Sequence, residues 1–150
     1  MRKNLAATAT VSIAADKSQV WDALVTPAAI KQYMFGAVVQ SDWKVGSTIT
    51  WSGEMKGKKY EDRGEILRFD PPQTLAYSHF SPMSGKPDQP ENHHTVIIQL
   101  SGTGYPTNVF LSQDNNPDEK SKAESARNWS VMLEGLKKYV ESAYRLPQMH

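Results

Sequence analysis

Ala7, Ala9, Val11 and Ile13 alternate with Thr8, Thr10 and Ser12, and a period of two predicts a strand near the start of the chain. Asp16-Lys17-Ser18-Gln19 then reads as a helix start. Asp16 can accept from free backbone donors of the first turn, and Gln19 holds the reciprocal position. Val20, Trp21 and Leu24 give that helix a short apolar face. Thr26-Pro27 predicts a new start, with threonine as cap and proline in the first turn, so Ala28 to Met34 form a second short helix. Strand patterns follow at residues 36–41, 47–52, 60–69 and 75–80. Ile49 shares a face with Trp51, and Leu75 with Tyr77 and His79. Residues 53–59 read as a turn, Gly64 marks a bulge or bend, and Pro71-Pro72 ends the long strand. Pro82, Gly85, Pro87 and Pro90 predict a loop over residues 81–92. Two more strands carry Val96, Ile98 and Leu100, then Val109 and Leu111, joined at Gly102-Thr103-Gly104.

Asn116-Pro117-Asp118-Glu119 predicts a helix capped by Asn116 and running to about Ala143. Trp129, Leu133, Leu136 and Val140 recur at steps of four, three and four, so they form one stripe that Met132 and Tyr139 widen. Gly135 sits in mid-helix, where it costs about 1 kcal/mol relative to alanine, and this predicts close approach by another element. Strands joined by short turns pair antiparallel, and the amphipathic helix must cover their apolar face. The expected fold is α+β: a curved antiparallel sheet of about six or seven strands around a long C-terminal helix. Two short helices follow the first strand. Such an arrangement leaves space between sheet and helix. Residues 1–145 are expected to form one domain, with a frayed tail at 146–150.

A length of 150 residues, with 39% apolar and 22% charged side chains, fits a globular domain able to bury its own core. The net charge of +1 gives no basic excess, so no nucleic-acid partner is expected. The absence of cysteine excludes disulfides and thiolate chemistry. No run approaches the ~20 apolar residues of a membrane span. Arg2 and Lys3 precede an alanine-rich stretch, but Thr8, Thr10 and Ser12 interrupt it. The reading is therefore a strand rather than a signal peptide, in a cytoplasmic protein with no membrane partner.

Several short stretches, in order, cover nearly the whole chain. They are Val20-Trp21-Asp22-Ala23-Leu24 followed by Pro27, and Asp42-Trp43-Lys44-Val45-Gly46. Gly64-Glu65-Ile66-Leu67 leads to Asp70-Pro71-Pro72 and then Leu75-Ala76-Tyr77. Trp129 and Leu133-Glu134-Gly135-Leu136-Lys137 complete the set. With them the sequence resembles the activator of heat-shock-protein-90 ATPase homologue family, in the SRPBCC group, also called START-like or birch-pollen-allergen-like. The resemblance implies a helix-grip fold. It also implies one of three roles: binding a hydrophobic small molecule, contacting a chaperone, or cyclising a polyketide.

Binding of a hydrophobic or amphipathic small molecule between sheet and helix is the first expectation. Trp51, Tyr77 and Trp129 would give apolar contact, with Met132, Leu133 and Leu136 beside them, while Tyr33 and His79 orient polar groups. Glu65 shares parity with Leu67 and Phe69, so it is expected to face inward near His79. That pair would be the acid–base couple of a cyclase-like enzyme. The primary reading is nonetheless a binding protein with no catalytic residue, cofactor or metal, working as a monomer or homodimer. His93 and His94 are adjacent on a strand, point to opposite faces, and cannot easily grip one ion. Lys56, Lys58 and Lys59, with Arg63 nearby, read as a solvated hairpin tip or a contact for an anionic partner. No Walker sequence or GxGxxG is present.

Overall fold

The computed structural model describes residues 5–143, so the predicted tail at 146–150 lies outside the described residues. Ten main elements follow one another: β1 (Leu5–Ile13), α1 (Lys17–Val25), α2 (Pro27–Tyr33), β2 (Val38–Ser41), β3 (Thr48–Met55), β4 (Lys58–Asp70), β5 (Thr74–His79), β6 (His94–Ser101), β7 (Thr107–Asn116) and α3 (Glu119–Ala143). The strands form one seven-stranded sheet in the order β1-β7-β6-β5-β4-β3-β2. Every neighbouring pair is antiparallel. Only the passage from β1 to β2 leaves the sheet, and α1 and α2 carry the chain across it. This is the helix-grip arrangement.

The local signals act as their chemistry demands at α1. Asp16 Oδ1 accepts from the Gln19 amide at 2.9 Å, and Gln19 Oε1 accepts from the Asp16 amide at 3.1 Å. Thr26 behaves differently from the expected cap. Its hydroxyl donates back to the Asp22 carbonyl, and α2 starts on proline alone. At α3 the cap is Asp118, whose Oδ1 accepts from the Ser121 amide at 2.8 Å. Asn116 is instead the buried end of β7, with its side-chain amide donating to the Leu5 carbonyl at 2.9 Å. The turn expected over 53–59 shrinks to Lys56-Gly57, both with positive φ, because β3 extends to Met55 and β4 starts at Lys58.

Along α3, Leu133, Leu136 and Val140 are sealed from solvent and Met132 nearly so. They join Ile13, Val20, Ile66, Val96, Val109 and Leu111 in the core. Each such side chain stabilises by about 1.5–3 kcal/mol relative to exposure. Gly135 has the expected close neighbour: a Cβ there would lie 3.3 Å from the Tyr33 Cβ, so α2 rests directly on α3.

One polar staple fixes α3 across the end of β1. Lys137 Nζ donates to the Ser12 carbonyl and to Glu141 Oε2, both at 2.7 Å, and Glu141 Oε2 also accepts from the Ala14 amide at 2.8 Å. The Lys137 hydrogen bond first, and the Ala14 amide second, hold the Glu141 carboxyl below the ordinary glutamate value. Its folded pKa is depressed. The stabilisation is therefore present above the unfolded pKa and is lost as pH falls through the folded one. Thermal melts from about pH 7 down to about pH 3 should show a shallower acid-side loss in Glu141→Gln than in the parent chain. An identical slope in both would contradict this role.

Candidate functional site

The long strand β4 decides the site, because its two halves are out of phase. A register irregularity between Ile66 and Arg68 shifts the alternation. Before it, Ile66 is fully buried and Asp62 partly so, while Glu65 is exposed. After it, Phe69 turns toward the core, and Leu67 remains exposed. The expectation that Glu65 faces inward beside His79 is therefore corrected. Glu65 shares sequence parity with Phe69, but the bulge between Ile66 and Arg68 puts the two on opposite faces. The inward carboxylate is Asp62, directly opposite Trp51 in the β3–β4 register.

Asp62 Oδ2 lies 2.9 Å from His79 Nε2. An ionised carboxylate only accepts, so Nε2 carries the proton and Nδ1 of a neutral His79 is left with a lone pair. Asp62 Oδ1 is buried and has no hydrogen-bond partner. The His79 ring meets Trp51 edge-on at 5.2 Å between centroids, and Trp51 meets Tyr77 at 5.0 Å. Burial pushes the Tyr77 hydroxyl pKa strongly upward, so it stays a neutral phenol. Tyr60 is also raised, by burial first and by the charge of Asp62 second.

These groups border a cavity of about 390 Å³. Trp51 and Met55 of β3, Tyr60 and Asp62 of β4, and Tyr77 and His79 of β5 form its sheet wall. Trp129 closes it from α3, and Met34, Phe35 and Ala37 close it from the end of α2. Ser81 and Met83 complete the rim. Phe35, Met55 and Met83 are 74%, 55% and 54% exposed, so the mouth itself is apolar. Phe35 holds a φ of 55°, a backbone state that a bulky side chain rarely adopts. A smaller polar recess of about 250 Å³ adjoins the cavity through His79 and Ser81, and Lys86, Glu91 and His94 line it.

Trp129 is oriented by a hydrogen bond from its Nε1 to Gln113 Oε1 at 2.7 Å. The Gln113 amide nitrogen then faces His94 Nδ1 at 2.9 Å. Burial is the main reason that the His94 pKa falls below its ordinary value, so the ring is neutral near pH 7.

Of the residues singled out from sequence, Trp51, Tyr77, His79 and Trp129 meet at this cavity. Met132 borders only a narrow internal gap, together with Tyr33. Leu133 and Leu136 are core residues that do not line the cavity. Tyr33 offers no free polar group, because its hydroxyl donates to the Ala23 carbonyl at 2.8 Å. His93 and His94 are held apart by different partners: Asp88 takes His93 Nε2, whereas His94 joins Gln113. Asp88 also takes Arg63, which removes that guanidinium from the basic tip. Among the described residues no cluster of three metal-ligating side chains occurs, and no helix is long and apolar enough to cross a membrane.

Comparison with known proteins places this geometry in context. The solution structure of ChR145 from Cytophaga hutchinsonii is 51% identical, with 97% of this chain and 100% of that chain covered and a TM-score of 0.83. The Aha1 dimer from Colwellia psychrerythraea is 21% identical, covering 91% of this chain and 96% of that one, with a TM-score of 0.70. CalU16 from Micromonospora echinospora is 20% identical, covering 96% and 88%, with a TM-score of 0.67. At those two identities the likeness concerns the fold alone. The search of curated proteins finds no match. Residues 14–141 match the family described as activator of Hsp90 ATPase homolog 1-like protein, and the chain belongs to that family.

Proposed function

We propose that the chain binds an apolar small molecule in the cavity between β3–β5, the end of α2 and Trp129. The observation that carries this reading is the cavity itself. At about 390 Å³ it falls in the size range of small-molecule sites, and its wall is aromatic and methionine-rich with few polar groups. A ligand covering the exposed Phe35, Met55 and Met83 would remove apolar surface from water, worth ~25 cal/mol per Å² before ordering costs. The methionines suit an adaptable rim.

The test is binding of an uncharged, environment-sensitive dye such as Nile red to the purified full chain, combined with native mass spectrometry. Saturable binding of one dye per chain, with a change in tryptophan emission, is the expected result. Linear, unsaturable uptake with no effect on the tryptophans would refute it.

The Asp62–His79 pair supports a second reading, proton transfer on a bound substrate. An inward carboxylate orients the imidazole and leaves its other nitrogen free to take a proton. Asp62 thereby fills the place that the sequence assigned to Glu65 in a cyclase-like enzyme.

A further inference from the structure

The cavity wall has an unbalanced electrostatic character. Among the described residues lining it, Asp62 is the only carboxylate, and there is no lysine or arginine. Arg63, the next residue along, points to the other face of β4 and is held by Asp88. Lys86 lines the adjoining polar recess instead of the apolar cavity. One oxygen of Asp62 is spent on His79, and the other is buried and receives no donor. A partly buried carboxylate short of donors is costly, and a positive charge held in the cavity beside it would lower that cost. The rings of Trp51, Tyr60, Tyr77, Trp129 and Phe35 line the same cavity. The faces of such rings are electron-rich and attract cations. An acid group on the ligand would meet Asp62 and those same faces with the wrong sign.

We propose that this cavity selects apolar molecules that carry a protonated amine, with Asp62 as counter-charge and the surrounding aromatic faces as a cation–π lining. The ligand class is thus an amphipathic cation rather than a fatty or aromatic acid. This rests on the small-molecule reading above and narrows it. The role of His79 is then to hold Asp62 in place by donating from Nε2.

Three probes with one apolar body separate the possibilities: 1-pyrenemethylamine, 1-pyrenemethanol and 1-pyrenecarboxylate. Each is titrated by fluorescence into the full chain near neutral pH and at low salt. The amine is expected to bind at least about tenfold more tightly than the alcohol, with the carboxylate weakest. In Asp62→Asn the advantage of the amine over the alcohol should vanish, the ratio of the two affinities falling to about one. Equal binding of amine and alcohol, or tightest binding of the carboxylate, overturns the proposal while the small-molecule reading stands. No binding by any of the three overturns both. The ranking on the parent chain decides the matter even where the Asn variant folds poorly.

Discussion

Gly64→Ala is expected to lower stability by about 3 kcal/mol or more, which for a chain of this length is a fall of roughly 6–12 °C in melting temperature. The reason is a backbone approach rather than a backbone conformation. A Cβ built on Gly64 would lie 1.7 Å from the Ser78 carbonyl oxygen and 2.6 Å from the Ser78 carbonyl carbon. Neither atom belongs to a flexible side chain that could swing away. The two strands are locked at that point. The Arg63 amide donates to the Phe80 carbonyl at 3.0 Å, the Phe80 amide returns to the Arg63 carbonyl at 2.8 Å, and the Glu65 amide donates to Ser78 Oγ at 3.0 Å. A methyl group must pry β4 from the end of β5, where Tyr77 and His79 enter the cavity. Dye binding should weaken together with the melting temperature. Gly57→Ala is the contrast, since that site has open space and a φ of +81°, so only about 1 kcal/mol of left-handed strain is at stake. Calorimetry on both variants checks the order, and a Gly64→Ala chain as stable as the parent would contradict the close approach.

Filling the cavity should abolish binding without that loss of stability. Ser81 lines the cavity at the rim, in the segment after β5, and its side chain makes no capping hydrogen bond. In Ser81→Trp the indole occupies space that a ligand would need. Dye affinity is expected to fall by more than about tenfold, equivalent to 1.4 kcal/mol or more. The melting temperature should hold or rise, because an apolar group then covers apolar wall that water or solvent now meets. Ser81→Ala, which keeps the space, should bind as the parent does. Undiminished binding in the tryptophan variant would move the ligand elsewhere on the molecule.

The sheet, the helices and much of the core follow from local patterning. Alternation in β1 and β3, the capping box at Asp16 and the apolar stripe of α3 each depend on contacts within a few residues. They can be seen without knowing what lies opposite. The mid-helix glycine announced a close neighbour, although it could not say that Tyr33 would be the one. The face of Glu65 is not legible because a two-residue period has no memory of an inserted residue. Leu67 and Phe69 suggested one inward parity for β4, whereas Gly64 and Ile66 carried the opposite and correct signal for the Asp62 side. The α3 cap has a different reason. Both Asn116 and Asp118 have suitable side chains, and tertiary contact of Asn116 with Leu5 left Asp118 to serve the helix.

Local patterning along the chain is enough to set the order of elements, their antiparallel pairing and the need for one long helix to cover the sheet. Those outcomes depend on periodicity and turn chemistry that act over short stretches of chain. Which carboxylate faces His79, and whether a given aromatic residue lines open space or fills the core, depends instead on long-range packing. Trp51, Leu133 and Leu136 all lie on apolar faces, yet only Trp51 borders the cavity. That distinction depends on where a bulge in β4 and the end of α2 leave room, and so on contacts between residues far apart in the chain.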